Sequence, residues 1–255
     1  MQRIDFLGAA GSGKTTLVDL AMKSESVRNQ SVAAGQASCR ALVKNNGLGL
    51  KRRLMARIPY FRQPLFRNVI EAGEKKAFAR FAEEHDAFLA TVHESFSLSG
   101  RSQYRRAEGY YHFIRTVRRI AFLEQWLENE AVLFDESLSH KVYAVMPWDR
   151  GNEAHARRYF EQMPLPAALI HLDADATQVV RQVRERERAT GKLIPGHRGL
   201  SDEELQSHTD ASLDVARIGA ECLHARGCPV LSLAASEPLE RNAQRVTEFV
   251  QGVVQ

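Results

Sequence analysis

Eight residues near the amino end constrain the fold of this chain more than any other stretch. Gly8-Ala9-Ala10-Gly11-Ser12-Gly13-Lys14-Thr15 satisfies the pattern G-x-x-x-x-G-K-[ST]. It lies between an apolar-rich run, Arg3 to Leu7, and a stretch with Leu17, Leu20 and Ala21 at helical spacing. A strand before the loop and a helix after it is the context the pattern requires. Gly8, Gly11 and Gly13 allow positive φ, which turns successive N–H groups inward as a cradle for phosphate oxygens. A helix starting near Lys14 adds the positive end of its dipole. The Lys14 ammonium can then reach the outer phosphates, and the Thr15 hydroxyl is an oxygen donor for Mg²⁺. Gly8, Ala9, Ala10, Gly11, Ser12, Gly13, Lys14, Thr15 and Thr16 are therefore the candidate phosphate-binding segment.

Downstream, short apolar runs alternate with helical stretches. Ala131 to Phe134, Ala168 to Leu172 and Pro229 to Leu233 read as buried strands, and a weaker one is expected between Ser24 and Ser38. Helices are expected over Asn68 to Glu94, Tyr104 to Asn129, Thr177 to Ala189, Asp202 to Ala225 and Glu240 to Gln251. Strands separated by helices argue for an α/β fold with a mainly parallel sheet. The 255 residues, 44% of them hydrophobic, can bury a core without disulfides or metals. The expectation is one domain, with a basic, mostly helical insertion at about 40–130 and a lid at about 177–200.

Two further patterns carry chemistry. Leu133-Phe134-Asp135-Glu136 is a strand ending in carboxylates. Beside a phosphate loop, Asp135 would hold Mg²⁺ and Glu136 would accept a proton from an attacking hydroxyl. Arg181, Arg184 and Arg188 stand at i, i+3 and i+7 on one stripe, with Val179, Val180 and Val183 on a neighbouring one. Guanidiniums in a row can neutralise a transferring phosphoryl group, so the three arginines join Lys14, Asp135 and Glu136 as candidate catalytic residues. The Gly191 to Gly199 loop would let that helix close and exclude water.

Charge is uneven. Arg40 to Arg119 holds 17 Lys/Arg against 7 Asp/Glu, although the whole chain is only +4. A basic middle on an acidic frame points to an anionic partner. Arg53, Arg57, Arg115 and Arg119 are the candidate acceptor contacts. Lys51 to Arg67 contains Pro59 and Pro64 and is not expected to be one continuous helix. The three cysteines, Cys39, Cys222 and Cys228, form no disulfide framework or metal knuckle. With no secretory pattern and no apolar run near ~18 residues, the chain is expected to be cytoplasmic.

The order of Gly8 to Thr16, Asp135-Glu136-Ser137, Leu169-Ile170-His171-Leu172-Asp173 and the arginine helix resembles the P-loop kinases of nucleosides and nucleotides. Deoxynucleoside kinases and thymidylate kinase are the nearest in layout. The resemblance covers about residues 1–24 and 131–255. It implies a three-layer P-loop fold with a five-stranded parallel sheet and a helical acceptor-binding insertion. It also implies a phosphotransferase that takes ATP with Mg²⁺ at Thr15 and Asp135, and places Ala234 to Pro238 against adenine. The deoxynucleoside kinases' acceptor pattern is absent between Ser31 and Ala41. The basic middle instead suggests a small anionic acceptor: a nucleotide, or a phosphorylated or carboxylated sugar. The competing class is a nucleotide-driven switch or ATPase; nucleic acid, as in a polynucleotide kinase, and an acidic membrane surface are further partner classes, and a homodimer is compatible. No Asn-Lys-x-Asp specifies guanine, and no G-x-S-x-G elbow is present.

Overall fold

The computed structural model describes residues 1–34, 37–38, 41, 62–127, 130–146, 148, 152–191, 197 and 199–254, without the side chains of 29, 30, 62–70 and 152. Its frame is a five-stranded sheet made of β1 (Gln2–Leu7), β2 (Ser31–Ala33), β3 (Ala131–Phe134), β4 (Ala168–Asp173) and β5 (Val230–Ala234). The order is β2-β3-β1-β4-β5 and every pairing is parallel. Ile4 stands opposite Leu133 on one side and Ala168 on the other, so β1 is the middle strand.

A parallel sheet is apolar on both faces because crossover helices cover both. Here Ile4, Phe6, Leu133, Ile170 and Leu172 pack with Leu17 and Val18 of α1 (Lys14–Ala21). Val246 and Val250 of the closing helix, Leu239–Val254, complete that layer. Leu7, Val132, Phe134 and Leu169 face the larger core on the other side. That core is built by α3 (Arg62–Glu84), α4 (Asp86–Leu98), α5 (Gln103–Trp126), α6 (Leu138–Val145) and α7 (Asn152–Gln162). It is joined by α9 (Asp202–Ala225), whose Ser201 and Glu204 form a capping box. Preceding α9 is α8 (Ala176–Thr190); α2 (Glu25–Gln30) leads into β2, and α10 is the closing helix.

The sequence expectation and the structure part in three places. The helix expected from Asn68 begins at Arg62, so Pro64 falls in its first turn, where the missing N–H has no helical acceptor to lose. It then breaks at His85 (φ −132°, ψ 39°) instead of running to Glu94. Helices α2, α6 and α7, of 6, 8 and 11 residues, had no counterpart among the expected elements. Lys51 to Phe61, including Pro59, and Cys39 lie outside the described residues; Cys222 and Cys228 are buried free thiols. Among the described residues, no helix is long and apolar enough to cross a membrane.

The larger core is not wholly apolar. Arg3 and Asp5, both buried on β1, form a 3.2 Å ion pair. Ser139 Oγ of α6 donates to Asp5 Oδ2 at 2.6 Å, and Tyr159 Oη of α7 donates to Leu138 O at 2.7 Å. The polar groups of β1 thus fix the start of α6, the helix that follows the acidic strand end.

Candidate functional site

All five strands end on the same edge of the sheet. After β1 the chain leaves for the edge strand β2, whereas after β3 it leaves for β4 on the far side of β1. α1 lies over one face and α6 over the other. The adjacent ends of β1 and β3 are therefore where connections diverge, the place at which open parallel sheets bind ligands. A cleft of ≈ 570 Å³ lies there, a volume suited to a small molecule. It is lined by residues 10–17, by Asp135, Glu136 and His140, by Gln182, Val183 and Arg186, and by Leu172, Ala235, Glu237, Leu239 and Asn242.

The glycine loop forms one wall. Gly11 takes φ +96°, and a Cβ there would lie 2.6 Å from Val183 Cγ2. Gly8 is crowded too: a Cβ would meet Leu172 O at 2.8 Å. Only hydrogen fits at either position, which is how the strand end, the loop and α8 approach so closely. Ala9, fully buried, packs with Val179, Val180, Val183, Leu205 and Leu213, so α8 and α9 rest on the loop. Lys14 Nζ donates to Gly8 O and Ala9 O, each at 2.8 Å. Burial draws its pKa down from 10.5 to about 8, and the nearby Glu136 and Asp135 carboxylates oppose that shift.

Opposite the loop stands the carboxylate pair. Thr15 Oγ1 donates to Asp135 Oδ2 at 3.1 Å. A hydroxyl and a carboxylate at this separation, both reachable by water, suit a hard cation such as Mg²⁺, which takes few protein oxygens and keeps phosphate and water ligands. No cluster of three or more His, Cys, Asp or Glu that could hold a metal ion is present among the described residues. Glu136 is mostly exposed, and Lys141 Nζ lies 3.1 Å from its Oε2. His140, in the first turn of α6, also lines the cleft. Burial, with the charges of Lys14 and Lys141, holds its pKa well below the usual imidazole range.

The arginine helix is present with its valines inward, but the stripe points elsewhere. Gln182 and Arg186 face the cleft; Arg181, Arg184 and Arg188 are not among its lining residues. Arg184 Nε donates to Asp202 Oδ1 at 2.8 Å, Nη1 to Glu187 Oε2 at 3.1 Å and Nη2 to Leu200 O at 2.8 Å. It ties α8 to the start of α9. Arg181 is exposed beside Glu185 at 3.9 Å, and Arg188 is exposed in the last turn.

Of the acceptor candidates, Arg53 and Arg57 lie outside the described residues. Arg119 Nη2 donates to Ala34 O, which places it at the carboxyl end of β2, on the edge that carries the cleft. Arg115, one turn earlier on α5, is exposed. Neither lines the cleft itself. The turn after β5, the segment expected to lie against adenine, lines the cleft through Ala235 and Glu237. Ala235 N donates to Asp173 O at 2.7 Å and Glu237 N to Ala234 O at 3.1 Å. His140, Gln182, Arg186 and Asn242 had no signal in the sequence; each is set by packing between elements far apart in the chain. No protein-family model matches the chain, and no curated protein is significantly similar to it.

Proposed function

We propose that this protein is a P-loop phosphotransferase with the three-layer fold of the nucleoside and nucleotide kinases, moving the γ-phosphate of ATP to a small anionic acceptor. One observation carries the reading: Lys14 and Thr15 of the glycine loop face Asp135 and Glu136 across the β1–β3 crevice. Phosphoryl transfer asks a protein chiefly for positioning and for positive charge around the phosphates. The loop's N–H groups and Lys14 cradle the β- and γ-phosphates. Arg186, not the predicted stripe, is placed to meet charge that spreads onto the transferring group. Mg²⁺ at Thr15 and Asp135 neutralises the phosphate oxygens when bound.

The acceptor hydroxyl attacks the γ-phosphorus, the bond from that phosphorus to the bridging oxygen breaks, and ADP leaves. The hydroxyl proton passes to Glu136, whose mostly exposed carboxylate is free to release it to water. Burial keeps His140 neutral, so it offers an N–H without adding charge. The basic residues of α5 approach the same edge through Arg119, which favours an acceptor bearing phosphate or carboxylate.

The test is ADP release with Mg-ATP and a panel of phosphorylated and carboxylated metabolites, for the wild-type chain and for Lys14→Ala. An acceptor should raise ADP release far above the basal rate, and Lys14→Ala should remove ~10³-fold or more of it while remaining folded. Turnover that persists in that variant removes the loop from the mechanism. ADP release that rises only with a protein or nucleic acid present indicates the switch reading instead.

A further inference from the structure

Asn242 stands in the first turn of α10, its backbone N–H donating to Pro238 O at 3.1 Å. It is 3% exposed, yet it lines the cleft beside the end of β5. Its Nδ2 donates to Ala234 O at 2.9 Å. A backbone carbonyl can only accept, so that bond decides which way the amide is turned and leaves Oδ1 on the other side. Oδ1 is buried and has no hydrogen-bond partner. Buried acceptors are nearly always paired, and one left over on a cleft wall marks the place of a donor that arrives from outside. Leu239, three residues earlier on the same helix and 38% exposed, also lines the cleft and offers apolar surface to the face of a flat ring.

We infer that Asn242 Oδ1 accepts a hydrogen bond from the exocyclic amine of the nucleotide base, so that Asn242 selects a 6-aminopurine over a 6-oxopurine. The inference rests on the proposed nucleotide-binding reading and adds to it a residue that reads the base. A 6-oxo group would set two acceptors against each other and leave Oδ1 unpaired. A site built to hydrogen-bond one group rejects the analogue lacking it far more strongly than an apolar pocket rejects a change of size. Ala234 O keeps a second donor, Glu237 N, so removing the amide does not strip that carbonyl bare.

The experiment is calorimetric titration of the unmodified chain, with Mg²⁺, by ADP and by IDP, which differ at the 6-position (amino against oxo) and, with it, at N1 (acceptor against N–H). Pyrophosphate is titrated alongside as a probe of the phosphate end alone. ADP should bind ~10-fold or more tightly than IDP. Asn242→Leu, close in size, should lose most of that ratio through weaker ADP binding while pyrophosphate binding stays. Asn242→Asp, which keeps an acceptor oxygen, should retain part of it. Equal ADP and IDP affinities in the wild-type chain overturn the inference without any variant, as does a ratio that survives Asn242→Leu. Pyrophosphate binding with no base preference overturns this inference alone. Failure of pyrophosphate and both nucleotides to bind overturns the nucleotide-binding reading beneath it.

Discussion

At the scale of single residues, Asp135 and Glu136 are neighbours in sequence with different surroundings. Asp135 takes a hydrogen bond from Thr15 and is half-buried at the strand end, whereas Glu136 is exposed and paired with Lys141. Different environments assign different work to two carboxylates. Asp135→Asn should raise the Mg²⁺ concentration for half-maximal rate by ~10-fold or more with little loss of folding, because the Thr15 contact survives as a neutral hydrogen bond. Glu136→Gln should lower kcat ~10²-fold and leave the ATP KM nearly unchanged. A metal titration and a steady-state rate measurement separate the two. Equal effects of both variants on KM would count against the division of labour.

Among elements, the contact between the glycine loop and α8 decides the most. Gly11→Ala puts a methyl 2.6 Å from Val183 Cγ2 at φ +96°, so both a clash and a backbone cost arise. Unfolding by urea should show a loss of ~1–3 kcal/mol, and Val183→Ala in the same chain should recover the clash component but not the backbone component. On α8 itself, residues advance ~100° each, so Gln182 and Arg186 flank Val183 on one side. Arg184, Arg188 and Arg181 fall about 100–160° away on the other. Arg186→Ala should reduce kcat ~10²-fold or more with the melting temperature kept. Arg184→Ala should lower the melting temperature, because it unties α8 from Asp202 and Leu200.

The same helix shows what the sequence discloses. Its existence, its limits and the inward valines were legible from periodicity, because burial of one stripe leaves a record in composition. Which flank of that stripe meets the cleft was not, since it depends on where Gly11 stands. The doubly buried strands were legible for a related reason: β3 is a continuous apolar run, and β1 and β4 are apolar-rich despite Arg3, Asp5 and His171. Helices α6 and α7 were not, because both are short, and tertiary contacts such as Ser139 to Asp5 and Tyr159 to Leu138 supply the stability that two or three turns lack alone. Lys14, Thr15 and Asp135 announced themselves by spacing; Asn242 became visible only through an oxygen left without a partner.

Across the whole molecule, several imidazoles are held neutral. Burial first, then His208, Arg186 and Arg184, press His197 from 6.5 to about 4; burial and then Arg101 lower His208, and His140 lies well below its ordinary range. The unfolded chain would protonate these groups near pH 6.5 and the folded chain only at lower pH. Between those limits the unfolded state binds more protons, so stability is full above about pH 6.5 and declines as pH falls toward 4. His197 should carry a substantial part of that decline. Urea midpoints at pH 7 and pH 5 should differ markedly in the wild-type chain and by less in His197→Gln.

Gln2 Nε2, at the start of the middle strand, donates to Val253 O near the end of α10, at 3.4 Å. Positions 251 apart in sequence are thus neighbours in space. The topology is that of a nearly closed ring with its gap on one side of the sheet, so the order in which the chain is written is separable from the arrangement it adopts. A few residues of linker across that gap, with a new opening at exposed Gly100 between α4 and α5, give a circularly permuted chain that preserves every strand pairing. In that chain the glycine loop lies in the interior of the sequence, more than eighty residues from either end.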